Sequence, residues 1–468
     1  MSNEFKLLIN GALVGAANST PVLNPATQEV VGLAPRASVE QLEDAIGAAK
    51  AAFPGWAATP LDERRKVLVR IADAIDAEAD TLAELLTREQ GKPLPDARAE
   101  VGGTAYFFRY FAAVELEDRT ATTASGRTAD ISRVPLGVVA AIVPWNFPLN
   151  LMAAKVPPAL LAGNTVLLKP APSTPLSTLE IGRIIKDILP PGVLNIIADE
   201  NDLGERITGH PDIRKVSFTG STQTGRRVMR SAAETIKRIT LELGGNDPAI
   251  VLSDADPVAA AEGIFQCAFA NNGQVCLAIK RVYVQDSIYD VFCDALASKA
   301  DAANVGNGLD AGTELGPLQN KAQYERVLDL IEDSKISGKI IAGGAAISGA
   351  GYFIRPTIVR DVGDGARIVD EEQFGPILPV VRFGDIDDAI ARANRSEYGL
   401  GASVWGNNPV KLREVAAQLD AGTVWINGHL DMSPNVPFAG AKQSGLGVEL
   451  SEQGLHEYTQ FKVINSPA

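Results

Sequence analysis

The sequence predicts an α/β protein in which a doubly wound parallel sheet is followed by a second α/β unit. Five apolar runs lie between residues 137 and 243, and stretches with helical spacing of apolar residues separate them. Strands that alternate with helices along a chain are typical of a parallel sheet covered by helices. A new alternation begins after Gly244-Gly245-Asn246, so the boundary between the two units is expected there.

The region before this sheet predicts small strands and then three helices. Residues 1–34 contain short apolar runs broken by Asn, Gly and Pro. Ser38 opens a capping-box pattern, and apolar residues at helical spacing follow it. The second helix begins at Pro60, a residue that suits the first helical position, and is expected to end near Gly91. The third helix covers residues 96–116.

The remaining elements follow from the same two patterns. The segment ATTASGRTAD predicts a β-hairpin or a surface excursion, not a core helix, near residues 117–136. The strands of the first sheet are GVVAAIV, NTVLLK, VLNIIA, KVSFTG and IKRITLEL. The second unit has the strands PAIVL and RVYVQ, with helices over 256–272 and 286–303. The tail FKVINS is expected to be a strand that pairs elsewhere in the protein.

The composition excludes several classes of function. The chain has 43 Lys and Arg against 57 Asp and Glu, a net charge of −14. Such a surface repels phosphate backbones, so nucleic-acid binding is not expected, although one small buried phosphate site is still allowed. No apolar stretch reaches the length of a membrane span, and no signal-peptide pattern is visible. Three cysteines suit neither a disulfide framework nor a zinc site, so a reducing cytoplasm and no bound metal are expected.

Two segments at predicted strand ends suit a phosphate-containing ligand. In LLKPAPSTP, Lys169 ends a strand at the edge where open α/β sheets bind ligands. In KVSFTGSTQTG, Gly220 opens a turn between a strand and a helix, so backbone N–H groups can face a phosphate. The segment matches neither G-x-G-x-x-G nor a P-loop. A solvent-facing lysine and an ordinary βα turn are the alternatives, and they stay open.

Three further segments carry residues suited to covalent chemistry, each with a plainer alternative. Cys276 in NNGQVCLAIKR lies in a predicted loop that would expose its thiol, whereas Cys267 and Cys293 lie in helical patterns as packing residues. Glu242 in LELGG ends a buried strand, where desolvation suits a general base, or it pairs locally. Asn146 in PWNFP is either a rigid oxyanion donor or part of a turn with buried aromatics.

Taken in order, these motifs resemble the aldehyde dehydrogenase superfamily. The chain contains PWNFP, LLKPA, FTGS, LELGG, GQVC and, at 371–376, EEQFGP. The similarity extends from PATQEV near the start to FKVINS at the end, and the spacing of Glu242 and Cys276 also fits. The ordered set is far more specific than any one of its motifs.

The resemblance implies NAD(P)-dependent oxidation of an aldehyde to a carboxylic acid. Cys276 matches the nucleophile that forms a thiohemiacetal and then a thioester. Glu242 matches the base that activates water to hydrolyse this thioester. Asn146 matches the oxyanion partner, which acts with the backbone N–H of Cys276. Lys155 and Glu449 match positions that relay protons to the base.

The cofactor positions carry over from the family in the same way. Lys169 matches the residue that contacts the adenosine ribose, and Pro172 stands where many NAD-preferring members have a glutamate. We therefore expect NADP to be tolerated and NAD to remain slightly favoured. The other matched positions of the cofactor site are Trp145, Gly220, Ser221, Gly225, Glu372 and Phe374.

The resemblance also implies a substrate pocket and a three-part architecture. The matched substrate positions are Leu151, Ala154, Ala270, Leu277 and Phe438. Ala154 and Ala270 replace large aromatics of many relatives, so bulky or medium-chain uncharged aldehydes are expected. The implied parts are a Rossmann-like cofactor domain (1–116 and 137–244), an α/β catalytic domain (245–443) and a small β oligomerisation element (117–136 and 444–468). A homodimer or homotetramer is expected.

Other functions remain open on the sequence. A CoA-acylating dehydrogenase or a thioesterase would use the same thiol, but acylating relatives usually lack the glutamate of LELGG. A semialdehyde-specific dehydrogenase would need a cation for its substrate's carboxylate, and no Arg or Lys stands out. A non-catalytic binding protein would have lost residues that are present here. A cysteine hydrolase is disfavoured because no histidine lies in a motif near Cys276, the three being His210, His429 and His456.

Overall fold

The computed structural model describes residues 4–467. Its strands are β1 (Leu7–Ile9), β2 (Ala12–Val14), β3 (Asn18–Leu23), β4 (Val30–Arg36), β5 (Arg119–Thr122), β6 (Thr128–Pro135), β7 (Val138–Ile142), β8 (Thr165–Lys169), β9 (Leu194–Ile196), β10 (Ile213–Thr219), β11 (Arg238–Glu242), β12 (Asp247–Val251), β13 (Ile279–Gln285), β14 (Lys339–Ala342), β15 (Thr357–Arg360), β16 (Ile377–Phe383), β17 (Tyr398–Gly399), β18 (Gly401–Trp405), β19 (Thr423–Ile426), β20 (Ala441–Lys442), β21 (Gly445–Leu446) and β22 (Thr459–Ser466).

The helices lie between these strands. They are α1 (Val39–Ala58), α2 (Leu61–Ala77), α3 (Ala79–Gln90), α4 (Leu94–Ala113), α5 (Pro148–Ala153), α6 (Val156–Leu161), α7 (Leu176–Ile185), α8 (Gly204–Gly209), α9 (Thr222–Ala233), α10 (Pro257–Phe269), α11 (Tyr289–Ala302), α12 (Lys321–Ser337), α13 (Arg367–Asp370), α14 (Ile386–Asn394), α15 (Pro409–Ala416) and α16 (Ser451–His456). No helix within residues 4–467 combines the length and apolar character that a membrane crossing requires.

The first sheet confirms the predicted doubly wound unit. Its strand order is β2-β1-β9-β8-β7-β10-β11-β21, and the five strands from β9 to β11 are parallel. Counted along the chain from β7, these five strands have the order 3-2-1-4-5. The chain therefore changes its direction of winding between β7 and β10, which is where sheets of this kind bind ligands.

The second sheet is the predicted second α/β unit. Its order is β14-β15-β16-β13-β12-β18-β19, and every pairing is parallel except that of β14 with β15. Successive residues of β12 show why the strands of this sheet appear in the sequence as continuous apolar runs. Ile250 belongs to one buried cluster and Val251 to another, because alternate side chains point to opposite faces of a sheet covered on both sides.

A third sheet joins the predicted hairpin to the tail. Its order is β22-β6-β5, and β22 pairs antiparallel with β6 from Thr459↔Pro135 to Ser466↔Thr128. The hairpin and the strand character of the tail are thus confirmed. Gly445–Leu446, which the sequence grouped with the tail, instead forms β21 and pairs with β11 at the edge of the first sheet.

The helix ends follow from local residues, with one difference from expectation. The Ser38 Oγ accepts from the Gln41 N–H at 3.2 Å, and the Gln41 side chain accepts from the Ser38 N–H at 3.1 Å, as a capping box requires. The single helix predicted from Pro60 is two helices, α2 and α3, because the chain turns at Glu78 and each keeps its own apolar side in the core. Gly91 ends α3 with a φ of +101°.

Candidate active site

The carboxyl ends of four neighbouring strands meet where the first sheet changes its direction of winding. Trp145 and Asn146 follow β7, and Lys169 is the last residue of β8. Gly220 follows β10, and Glu242 is the last residue of β11. Because parallel strands end at the same edge, the fold brings four separate sequence motifs to one crevice.

The loop that carries Cys276 belongs to the second unit. It begins with a 3₁₀ turn at Ala270–Gly273 and leads into β13. Asn271 and Asn272 adopt left-handed φ values of +46° and +56°. All of residues 271–280 are buried except Cys276. A rigid loop with one accessible thiol meets the geometric requirement for a nucleophile.

Gly245 places the end of β11 against this loop. A Cβ atom at Gly245 would lie 2.6 Å from the carbonyl oxygen of Cys276, so only glycine allows the approach. Glu242 lies shortly before Gly245 on the same stretch of chain. Its two buried carboxylate oxygens have no hydrogen-bond partner in residues 4–467. A buried carboxylate without hydrogen-bond partners in the described part of the chain therefore lies near enough to the thiol for its charge to raise the thiol's pKa.

Burial changes the acidity of both groups. It raises the pKa of the Glu242 carboxyl well above its ordinary value, and the negative charge of Glu449 adds to this while Lys155 opposes it. Burial also raises the pKa of the Cys276 thiol to about 12, although the nearby Lys280 ammonium acts in the opposite direction. The thiol is therefore protonated at neutral pH and needs a proton acceptor. A carboxylate whose pKa has been raised is a stronger base than an ordinary one.

Lys155 and Glu449 form a buried ion pair beside this carboxylate. The backbone of Glu449 is paired with that of Phe438, so the ion pair is tied to a predicted substrate residue. Ser217 Oγ donates to Glu449 at 3.3 Å and accepts from the Tyr458 hydroxyl at 3.1 Å. These contacts extend a polar path from the ion pair, and neither Ser217 nor Tyr458 was selected from the sequence.

Asn146 lies against the chain just before Cys276. Its Nδ2 donates to the carbonyl oxygen of Gln274 at 2.9 Å, which uses one of its two side-chain N–H bonds. Its backbone carbonyl oxygen accepts from Lys92 Nζ at 3.0 Å and from Asn271 Nδ2 at 3.1 Å. The remaining side-chain N–H is the group that can donate to a substrate oxygen.

Lys169 is buried, and its charge is already paired. Its Nζ lies 2.6 Å from Asp199 Oδ1 and donates to Asn201 Oδ1 at 3.1 Å. Asp199 follows β9, the neighbour of β8, and its side chain is fully buried. Pro172 lies in the turn after β8, as its position in the chain requires. Asp199 thus places a carboxylate beside Lys169, whereas the position of Pro172 has none.

The turn after β10 and the first residues of α9 contain three more residues of the predicted cofactor site. The Gly220 N–H donates to the carbonyl oxygen of Glu242 at 3.0 Å, so it is not available to a ligand. Ser221 caps α9 with its side chain. A Cβ atom at Gly225 would lie 2.5 Å from the Leu243 side chain, so close packing of α9 by itself explains this glycine.

Trp145, Glu372 and Phe374 complete the predicted cofactor residues. The rings of Trp145 and Phe374 meet edge to face with centroids 5.4 Å apart. Glu372 Oε1 accepts from the Gly245 N–H at 3.0 Å, and burial raises the pKa of its carboxyl. The crevice fits a dinucleotide: the start of α9 leaves backbone N–H groups for phosphates, Lys169 suits a ribose, and the aromatic rings form a wall.

Four of the five predicted substrate residues lie in one apolar cluster with Cys276. They are Ala154, Ala270, Leu277 and Phe438. Leu151 instead packs at the margin of the core of the first unit. The cluster also holds aromatic side chains that the sequence did not single out, namely Phe107, Phe147 and Trp425.

A cleft of about 640 Å³ opens beside this cluster at Phe147 and Ala270. Phe265 and Phe269 add two more aromatic side chains to its lining, which also includes the carboxylates of Asp96 and Glu314. Both lysines among its described lining residues are engaged in ion pairs, Lys92 with Glu100 and Lys299 with Glu262.

The chain is similar to known proteins in both sequence and structure. The aldehyde dehydrogenase family model matches residues 14–464. A phenylacetaldehyde dehydrogenase from Pseudomonas fluorescens is 40% identical over 479 residues, covering 97% of this chain and 94% of the relative. A glutarate-semialdehyde dehydrogenase from Pseudomonas aeruginosa is 40% identical over 465 residues, covering 97% and 96%. The NAD⁺ complex of an aldehyde dehydrogenase from Bacillus cereus has a TM-score of 0.97 at 40% identity, covering 99% and 96%.

Fold and site together define an oxidoreductase with a Rossmann-like cofactor unit and a second α/β unit that carries Cys276. The chain belongs to the aldehyde dehydrogenase family, and it is an NAD(P)-dependent enzyme that oxidises aldehydes. The resemblance drawn from the ordered motifs is confirmed, as is the predicted fold class.

Proposed function

We propose that the protein oxidises bulky, uncharged aldehydes to carboxylic acids, with Cys276 as nucleophile and Glu242 as the base that activates water. One observation carries this proposal: Gly245 holds the strand that ends at Glu242 against the carbonyl of Cys276. A single accessible thiol and an unpartnered buried carboxylate thereby share one crevice.

In the first half-reaction, the Cys276 sulfur attacks the aldehyde carbon and its proton passes to the Glu242 carboxylate. The carbonyl oxygen becomes an oxyanion that accepts from the Asn146 side chain and from the Cys276 backbone N–H. NAD(P)⁺, which Lys169 and the start of α9 would hold, would supply the acceptor for the hydride that leaves this carbon. A thioester on Cys276 remains.

In the second half-reaction, Glu242 removes a proton from water as the water oxygen attacks the thioester carbon. The bond between carbon and sulfur breaks, the acid is released, and Cys276 is restored. The Lys155–Glu449 ion pair beside Glu242 provides a route by which the base can give up its proton. Glu242 also favours hydrolysis over transfer to CoA, because a CoA thiol would not require a water-activating base.

The pocket supports an uncharged substrate. Aromatic side chains belong to the same apolar cluster as Cys276, and the small residues Ala154 and Ala270 leave room for a bulky group. Both lysines that line the cleft are paired, so neither is free to receive a second carboxylate. We expect kcat/KM for hexanal and benzaldehyde to exceed that for glutarate semialdehyde. A large preference for the semialdehyde would contradict this substrate class.

We infer that NAD is favoured over NADP more strongly than Pro172 alone suggests. A carboxylate beside a ribose-binding lysine can accept a hydrogen bond from a ribose hydroxyl, and its charge repels a 2′-phosphate. Asp199 is the carboxylate beside Lys169. Asp199→Asn should therefore tighten NADP binding by about tenfold, or about 1.4 kcal/mol, in a fluorescence titration. Asp202→Asn is the matched control, because Asp202 is in the same loop but pairs with Arg36. Equal shifts in both variants would refute the role of Asp199.

We also propose that the β22-β6-β5 sheet joins subunits of a homo-oligomer. Within residues 4–467, β22 pairs only with β6, so its other edge is open. Phe461, Val463 and Ile464 on this strand are all more than half exposed. An open apolar strand edge is usually covered in a native protein, and a second copy of the strand would cover this one.

The proposed chemistry is tested by reduced-cofactor formation from aldehyde and NAD in the absence of CoA. Cys276→Ala should lose activity to background. Cys267→Ala is the matched control, because that thiol contacts the carbonyl oxygen of His429 at 3.5 Å and is not the accessible residue of the loop. Activity that survives in Cys276→Ala, or that depends on added CoA, would overturn the proposal.

A further inference from the structure

Two buried side chains that take no part in the proposed chemistry hold the peptide of Asn146. Lys92 Nζ and Asn271 Nδ2 both donate to its carbonyl oxygen, at 3.0 and 3.1 Å. Lys92 lies between α3 and α4 of the first unit, and Asn271 lies in the Cys276 loop of the second unit. Two donors from different units fix the orientation of this peptide. They thereby fix the direction in which the Asn146 side chain leaves the backbone.

Lys92 is itself held in place by contacts with the same segment. It forms an ion pair with Glu100 in which both side chains are almost completely buried. Its Nζ also lies 3.7 Å from the centre of the Phe147 ring. Glu100 Oε1 accepts from the backbone N–H groups of Leu149 and Asn150, at 3.0 and 3.3 Å. The ion pair therefore contacts the segment 146–150 at its carbonyl, its aromatic ring and its N–H groups.

Asn271 is held by one residue of each unit. Gln90 Nε2 donates to its side-chain oxygen at 3.2 Å, and Gln274 Nε2 donates to its backbone oxygen at 2.9 Å. The backbone N–H of Lys92 donates in turn to Gln90 Oε1 at 3.0 Å. Asn271 keeps a left-handed φ of +46°, a conformation that persists where the surroundings fix it.

We propose that Lys92 and Asn271 are positioning residues for the oxyanion site. By fixing the Asn146 peptide, they keep the free side-chain N–H of Asn146 directed at the oxygen of a substrate bound to Cys276. Donors that are fixed before reaction stabilise a developing oxyanion more than mobile donors, because no reorganisation is needed. This inference rests on the proposed role of Asn146.

The first test compares two neighbouring asparagines. Asn271→Gly allows the left-handed backbone and removes the donor to Asn146. Asn272→Gly is the matched control, because Asn272 has a φ of +56° but donates to the carbonyl oxygen of Gly316 at 2.8 Å. We expect Asn271→Gly to lower kcat by roughly 10- to 100-fold, with the KM for NAD unchanged, and Asn272→Gly to stay near wild type. Equal kcat in the two variants would overturn the inference.

The second test asks whether the effect passes through Asn146. In an Asn146→Ala background, Asn271→Gly and Lys92→Met should cause no further loss of kcat. The double variant Lys92→Met/Glu100→Gln is measured alongside Lys92→Met, because the double variant leaves no unpaired buried carboxylate. The melting temperature of each variant is also recorded. If Asn271→Gly or Lys92→Met lowers kcat further in the Asn146→Ala background, the positioning role is overturned, while the proposed oxyanion role of Asn146 still stands. Wild-type kcat in Asn146→Ala would overturn the proposed oxyanion role as well.

Discussion

Replacement of Glu242 by Gln tests the base through three effects that the structure predicts together. The substitution preserves size and breaks no hydrogen bond, since neither carboxylate oxygen has a partner in residues 4–467. Loss of a general base is expected to slow turnover by about 10²- to 10⁴-fold. Thioester formation loses the acceptor of the thiol proton and should also slow, but water can take that proton, whereas hydrolysis loses the base that activates its nucleophile. A burst of one NADH for each chain, slower than in wild type, should therefore precede a still slower phase, because each chain has one Cys276.

The pH dependence follows from the raised pKa of Glu242. The base acts only when ionised, so wild-type kcat should fall as pH falls through a pKa well above the ordinary carboxyl value of about 4.3. Stability follows the opposite direction, because the folded protein holds this proton more tightly than the unfolded chain. The free energy of unfolding should therefore decrease as pH rises from the unfolded to the folded pKa, and Glu242→Gln should remove that decrease.

The assays are stopped-flow NADH absorbance for the burst and urea unfolding at several pH values. Glu234→Gln, at the exposed end of α9, is the matched control and should leave both measurements unchanged. Wild-type turnover in Glu242→Gln, or an acid limb of kcat near the ordinary carboxyl pKa, would refute the assignment of the base.

Three further predictions concern the relay, the pocket and the assembly. Lys155→Met leaves Glu449 as an uncompensated buried charge, so urea unfolding should show a loss of about 3–5 kcal/mol, and an unchanged midpoint would contradict this ion pair. Ala270→Trp narrows the cleft, so KM should rise for benzaldehyde but not for acetaldehyde, whereas equal effects would place Ala270 outside the substrate path. Val463→Lys places a charge on the open edge of β22, so light scattering should report a smaller particle than wild type, and an unchanged mass would exclude this edge as the subunit contact.

The parallel strands of the first sheet were predictable because β7, β8 and β9 are buried throughout and β10 and β11 are buried where they end. Such strands appear as continuous apolar runs, and the motifs at their ends could be placed at one edge of the sheet. The split of the predicted helix at Glu78 was not predictable in this way. Both α2 and α3 continue the helical spacing, and only the direction of packing separates them.

The site residues that were missed are buried polar residues with distant partners. Lys92 and Asn271 have no local pattern that distinguishes them from surface residues, because their burial depends on contact with Asn146 in another part of the chain. Asp199 is different, since it follows a buried strand as Lys169 does. The rule that ligands bind at the carboxyl ends of strands applies to Asp199 as well as to Lys169, so it would have selected Asp199.

The mechanism depends most directly on a covalent acyl group at Cys276. Glu242→Gln enzyme mixed with NAD and benzaldehyde, acid-quenched and digested, should give a peptide containing Cys276 whose mass is increased by the benzoyl group. Peptides containing Cys267 and Cys293 should be unmodified. An acyl group on either of these cysteines, or an unmodified Cys276 peptide after a full burst of NADH, would contradict the mechanism.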